Sequence, residues 1–400
     1  MQGPLAGVRV LDLTSMISGP LCTMTLADQG ADVIKVESPA GDYARHVATR
    51  RNGFSASFVN NNRNKRSIVL DLKQPSALMA LERLIDRADV MVQNFRPGVA
   101  ERMGIGPIKA CQRNPALIYL SICGFGFDGP YRDKPVFDPL IQALSGLTTI
   151  QGGSDEARPR LVRTILPDKL TAIQASQAIC AALFARERNG GRGQSITLSM
   201  LDTVVSFLWS SDMGGHTFIG NEHPAETAQS FIDLIYATTD GHVSIAVMQD
   251  KHWRGFLLAL NRPDLLGDAR FATPEMREIN KDERTRLIQR LIEGESMNAL
   301  IERLEAHDVP CAPVLTRRQM IRHPQVLANG IVHEVDHPHA GAIRQTRPAA
   351  VFSSSPPFAP RGAPALGEHT EAILAEAGID APTRATMLRE SAAIQYRGLS

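Results

Sequence analysis

The succession of apolar and polar segments in the first forty residues sets the architecture. Val8–Leu13 (VRVLDL) is a short apolar run, Ser18-Gly19-Pro20 leads into a helical pattern over Leu21–Gln29 that Gly30 ends, and Ala31–Val36 (ADVIKV) is a second apolar run. Strand, helix and strand in that order form a βαβ unit, whose strands lie parallel and whose crossover is right-handed. The grammar repeats, with a strand at Arg66–Leu72, a helix at Pro75–Arg87, and strands at Val90–Gln93, Leu117–Ser121 and Gln194–Ser199. Such repetition predicts an α/β fold on a doubly wound, Rossmann-like parallel sheet.

Lys169–Arg188 carries apolar side chains at three- and four-residue spacing and stops at Asn189-Gly190-Gly191, which predicts a long helix. From about Gly214 to Gln229 the periodicity vanishes and Gly, His, Asn and Pro dominate, as in a linker. Beyond it lies a hairpin pattern, Phe231–Ala237 and His242–Val247 about an Asp240-Gly241 turn. Helices are expected at His252–Leu260, Lys281–Ile292 and Met297–Ala306, and a short one at Glu368–Ala377. The expected domains are a large α/β domain starting with residues 1–221, a small α+β domain over 222–328, and a C-terminal segment, 329–400, that returns to the large domain.

Composition removes several classes of function. The 43 Lys+Arg and 42 Asp+Glu leave a net charge of +1, without the basic surplus that a nucleic-acid binder needs to neutralise phosphates. No run of about 18 apolar residues is present to span a membrane, and the N-terminus lacks the basic-then-apolar order of a signal peptide. The five cysteines (Cys22, Cys111, Cys123, Cys180, Cys311) form no CxxC pair, so neither a disulfide framework nor a structural zinc site is expected. The histidines include no HExxH, and GxSxG is absent. A cytoplasmic protein without a metal site is the expectation.

Three segments stand where an α/β enzyme places its chemistry. Gly124–Pro130 (GFGFDGP) follows a strand; alone it reads as a turn, but ligands in open α/β sheets sit at the carboxyl ends of strands. Asn94–Gly98 (NFRPG) and Arg102-Met103 also follow a strand and bring cations that suit phosphates, against the plainer reading of a solvated loop. Asp168 stands just before the long helix. By position alone it reads as an N-cap. The same place stabilises a carboxylate anion, and an ionised carboxylate acts as a nucleophile without a general base. Cys123 reads as a small buried residue rather than a nucleophile.

The residues taken together resemble the class III CoA-transferase family, which also includes α-methylacyl-CoA racemases. The resemblance runs nearly end to end: Leu5–Thr14, Ser18-Gly19-Pro20, Leu26–Glu37, Asn62–Lys73 (NRNKRSIVLDLK), Gln93–Met103 (QNFRPGVAERM), Gly124–Tyr131, Gly191–Gln194 (GRGQ), Ser199–Asp202, Val309–Val314 and Leu366–Thr370. It implies that Asp168 is the catalytic aspartate, taking the acyl group of a donor acyl-CoA and passing CoA to a free carboxylic acid through covalent aspartyl intermediates. It implies CoA contacts at Met16, Ile17 and Ser18, at Leu70, Asp71, Leu72 and Lys73, and at Asn94, Phe95, Arg102 and Met103. Asp138, Phe137 and Met200 are the implied substrate-pocket residues. No cofactor beyond CoA itself is implied, and the family fold implies an interlocked homodimer.

Ser38 stands where some relatives place a basic residue, so part of the phosphate-binding charge is expected elsewhere, from Arg45 or Lys35. Racemases of the family hold a His directly before the acidic residue matching Asp138, whereas this chain has Phe137, which carries no proton. Racemisation requires two acid/base groups, so the transferase is favoured. An epimerase using another base, or a CoA-binding relative without catalysis, are the alternatives.

Overall fold

The computed structural model describes residues 3–220, 233–355, 360–396 and 398. The chain divides into two compact units, Met1–Ala228 with Ile331–Ser400, and Gln229–Gly330. The expected boundary at 221/222 and the start of the expected hairpin at Phe231 lie outside the described residues.

The first unit is built on a seven-stranded sheet. Its strands are β1 (Arg9–Leu13), β2 (Asp32–Glu37), β3 (Arg66–Leu70), β4 (Val90–Gln93), β5 (Ile118–Cys123), β6 (Ser195–Ser199) and β7 (Ala393–Ile394). The spatial order is β7-β3-β2-β1-β4-β5-β6. All pairings are parallel except that of β7, which runs antiparallel on the β3 edge, Ala393 opposite Leu70. The order 3-2-1-4-5-6 is that of doubly wound folds, and the direction of winding reverses between β1 and β4.

Alternation along the strands splits the core into two layers. Leu11, Leu13, Ile34, Val36, Met91 and Tyr119 face one side; Val10, Val33, Val90, Val92, Ile118 and Leu120 face the other. The first side is covered by helix α2 (Pro75–Ile85) and by Ile373, Leu374 and Met387 of the C-terminal helices. The second is covered by α1 (Ser18–Asp28) and by the long helix α4 (Leu166–Arg188). Between β5 and β6 the chain also forms α3 (Asp138–Leu144), and after β6 it forms α5 (Met200–Trp209). Among the described residues no helix is long and apolar enough to cross a membrane.

In the second unit Ile235–Ala237 pairs antiparallel with His242–Ile245, which pairs with Cys311–Pro313. Asp240 in the hairpin turn accepts the Met297 amide at 2.7 Å and so caps the helix Met297–Glu305. The core gathers Trp253, Phe256, Ile288, Leu300 and Leu304 from the helices that follow, and Phe271 from a turn between two of them.

Candidate active site

The loops after β1, β4 and β5 open at the carboxyl edge of the sheet, beside the point where the strand order reverses. They enclose a cavity of about 260 Å³. Its wall takes Ser15, Met16 and Ser18 from the first loop, and Asn94, Phe95, Arg96 and Pro97 from the second. Cys123, Gly124 and Phe125, then Arg132 to Asp138, come from the third, with Asp168 and Met200 closing it. Crevices at such a reversal are where open α/β sheets bind ligands.

Asp168 sits in the first turn of α4, not at its cap. The helix begins at Leu166 because Pro167 suits a first turn, and the cap residue is Ile165, which offers no side-chain acceptor. The reading of Asp168 as N-cap is thereby corrected. Its own amide needs an acceptor from elsewhere, and Asp138 supplies one: Asp138 Oδ2 takes the Asp168 N–H at 3.3 Å. Asp138 opens α3 and is 4% exposed. Its other oxygen accepts from Gln142 Nε2 at 2.7 Å, one turn along the same helix. Gln142 also donates to the carbonyls of Val162 and Thr164 and accepts the Val162 amide at 2.9 Å. One buried side-chain amide thus ties α3 to the segment that leads into α4.

The electrostatics follow from this packing. Burial pushes the Asp168 carboxyl up to about 6, and the Asp138 carboxylate adds to the rise. The polar Ser18 hydroxyl and amide, at the start of α1, oppose it. Asp138 is itself raised, by burial, against the pull of Gln142, the Asp168 amide and Lys169. At neutral pH Asp168 is an anion, and among the described residues no cation offsets its burial. Gly19 lets α1 start this close: a Cβ there would stand 2.3 Å from the Thr14 side chain.

The remaining expected contacts divide. Met16, Ser18, Asn94, Phe95, Phe137, Asp138 and Met200 lie on the same cavity wall as Asp168. Ile17, Leu70, Asp71, Leu72, Lys73, Arg102 and Met103 do not line it. Leu72, Phe95 and Met103 pack on the same core cluster, beyond the ends of β3 and β4. Asp71 caps the turn into α2, accepting from Gln74 Nε2 at 3.1 Å. Lys73 and Arg102 are exposed. Asn94 clamps the Ser15 backbone, accepting its N–H at 3.0 Å and donating to its carbonyl at 2.9 Å.

Arg45 and Lys35 do not supply phosphate-binding charge. Arg45 is buried, grips Glu37 through Nε (2.8 Å) and Nη2 (2.7 Å), and lies over the Phe58 ring. Lys35 is fully buried against Asp42 at 3.0 Å. Exposed cations on the cavity wall are instead Arg96, Arg132 and Lys134, and the last rests on the Tyr131 ring. Burial pushes the Cys123 thiol up to about 11, in keeping with a structural residue. Phe137 stands 68% exposed on the wall, a side chain with no proton to give. Gln142, Arg132 and Lys134 escaped the sequence analysis; the cations follow directly on the GFGFDGP turn, but nothing local marks Gln142. Among the described residues no group of three or more His, Cys, Asp or Glu could hold a metal ion.

Comparison with known proteins gives a consistent picture. A family model described as CoA-transferase family III matches residues 5–370. A succinyl-CoA:mesaconate CoA-transferase of Haloarcula marismortui is 35% identical, over 96% of this chain and 98% of its own length. A human succinyl-CoA:glutarate CoA-transferase is 32% identical, over 93% of this chain and 86% of its own. The crystal structure of Rv3272 from Mycobacterium tuberculosis superposes with a TM-score of 0.81 at 31% identity, covering 93% of this chain and 99% of that one.

Proposed function

The chain belongs to CoA-transferase family III, and from that premise we propose that Asp168 is the nucleophile through which it moves CoA from an acyl-CoA to a free carboxylic acid. The observation that carries this reading is an anionic carboxylate, raised to about 6, on the wall of a cavity that the three sheet-edge loops share.

An Asp168 oxygen attacks the thioester carbonyl, the C–S bond breaks, and CoA thiolate leaves with the electron pair. A mixed anhydride joins Asp168 to the donor acyl group. The thiolate then attacks the Asp168 carbonyl and expels the donor as its carboxylate, leaving an aspartyl-CoA thioester. The acceptor carboxylate attacks that thioester to give a second anhydride, and the thiolate returns to the acceptor's acyl carbon, restoring Asp168. No step moves a proton, so the site needs an ionised carboxylate and donors for the tetrahedral oxyanions rather than a base. The Ser18 and Gly19 amides at the start of α1, where Pro20 has none to offer, are proposed as the oxyanion donors. Arg96, Arg102 and Lys73 are proposed to meet the CoA phosphates, and the apolar surface of Leu72, Phe95 and Met103 the adenine.

Succinyl-CoA is the proposed donor and a dicarboxylic acid the proposed acceptor, since two relatives are named for such pairs and the wall carries Arg132 and Lys134. A cytoplasmic site of action is proposed, in keeping with five free thiols, and an interlocked homodimer as the working form. The test is chemical trapping. Incubation with succinyl-CoA and then hydroxylamine is expected to leave a hydroxamate on Asp168, found by peptide mass spectrometry. Asp168→Ala is expected to lose on the order of a thousandfold or more in kcat. Turnover with Asp168 unlabelled, or an active Asp168→Ala, sinks the assignment.

A further inference from the structure

Under the loop that follows β1 lies a cluster of buried charges that the transfer chemistry does not use. Lys35 and Asp42 are 0% and 4% exposed and pair at 3.0 Å. Lys35 Nζ also donates to the Thr14 carbonyl at 2.9 Å. Asp42 Oδ1 accepts the Met16 amide at 3.0 Å and the Ala44 amide at 2.9 Å. From the outer side Asn94 holds both backbone groups of Ser15. Three consecutive residues are therefore gripped through their backbones, and the third is in an unusual conformation. Met16 has φ of +70°, a region that a non-glycine residue occupies only when its surroundings enforce it. Two residues later the chain enters α1 at Ser18, which lines the same cavity as Asp168.

We propose that Asp42, paired with Lys35, is a positioning residue for the transfer reaction: its hydrogen bond to Met16 locks the left-handed turn that keeps Ser18 against Asp168. The proposal rests on Asp168 being the nucleophile. A buried ion pair is a costly way to hold a loop, because two charges must leave water. It has one advantage over an apolar plug: each charge offers directed hydrogen bonds to backbone groups that no side-chain packing could orient. If the lock opens, Ser18 withdraws. Asp168 then loses the polar neighbour that favours its anion, and the aligned attack on the thioester becomes rarer.

The test compares two double variants that change charge equally. Lys35→Met with Asp42→Asn keeps an acceptor for Met16; Lys35→Met with Asp42→Ala removes it. Neither leaves an unpaired buried charge. Relative to the first, the second is expected to lose roughly ten- to hundredfold in kcat with little change in KM, as for a small misplacement of reacting groups. Its acid limb in the kcat–pH profile should also move to higher pH, and its rate of hydroxylamine labelling at Asp168 should fall in step. Equal kcat and an equal acid limb in the two doubles overturn the proposal, whatever their melting temperatures. Should the alanine double fail to fold, Asn94→Ala releases Ser15 alone from the outer side. It must shift the acid limb in the same direction, and an unmoved limb there overturns the proposal as well. Wild-type enzyme that turns over without label on Asp168 removes the nucleophile reading itself, a result distinct from any difference between the doubles.

Discussion

Asp168 bears opposite relations to catalysis and to stability. Its carboxyl is raised from 3.8 to about 6 in the folded chain. Over that interval the native state binds more protons than the unfolded state, so stability falls as pH rises through it, and the penalty is complete above pH 6. The rate runs the other way: attack needs the anion, so kcat is expected to rise through an acid limb near pH 6. Asp168→Asn keeps the shape and discards the charge. We expect it to be inactive yet more stable than wild type at pH 7.5, by about 1–2 kcal/mol once partial exposure is allowed for. The advantage should shrink towards nothing near pH 4. Thermal melts of both proteins across that range check the sign, and a variant less stable at pH 7.5 contradicts the electrostatic account of the site.

At the scale of elements, the geometry of the candidate nucleophile is decided by α3 and by the segment before α4. Gln142 makes four hydrogen bonds there, to Asp138, to both backbone groups of Val162 and to the Thr164 carbonyl. Gln142→Ala strands a half-buried Val162 amide and lets the Asp138 carboxylate turn, so a stability loss of about 1–3 kcal/mol is expected. The fall in kcat should exceed any change in KM, because the binding loops after β1 and β4 are untouched; steady-state kinetics on the purified variant separate the two. A kcat equal to wild type removes Gln142 from the site. This network also marks where sequence reading stops. The strands expected at Val8–Leu13 and Val90–Gln93 and the helix expected over Lys169–Arg188 were legible, because the strands are compact apolar runs and the helix has three- and four-residue periodicity and a Gly-Gly stop. The true cap of α4 was not, since its acceptor comes from Asp138, thirty residues earlier. Lys35 and Arg45 were legible as cations but not as buried ones. Yet Lys35 lies between Ile34 and Val36 in a central parallel strand, where burial on both faces is the rule. The two-residue strand β7 is too short to carry any pattern.

At the scale of the whole molecule, the unit holding the sheet presents apolar side chains that its own core does not take up. Helices α3, α4 and α5 pack on one another. On their outer sides Leu140, Leu144, Ile173, Phe184, Phe207 and Trp209 stand between 47% and 63% exposed. Helix α4 is the clearest case: Ala172, Ala175 and Ile179 face the sheet, while Ile173 and Phe184 face outward. A helix apolar on two sides is built for two partners, and one subunit supplies only one. Water against six large apolar side chains is unfavourable enough that soluble chains reserve such surfaces for association. The homodimer proposed above would cover them. Light scattering behind size exclusion should then give twice the 43.6 kDa chain mass at micromolar concentration. Ile173→Glu with Phe184→Glu should shift the population towards monomer. Interlocking makes a sharper demand: two chains threaded through each other cannot part without unfolding. Differently tagged dimers mixed under native conditions should therefore not exchange subunits over hours, and should do so after denaturation and refolding. Rapid native exchange would leave a dimer but deny the threading, and a monomer at every concentration would deny both.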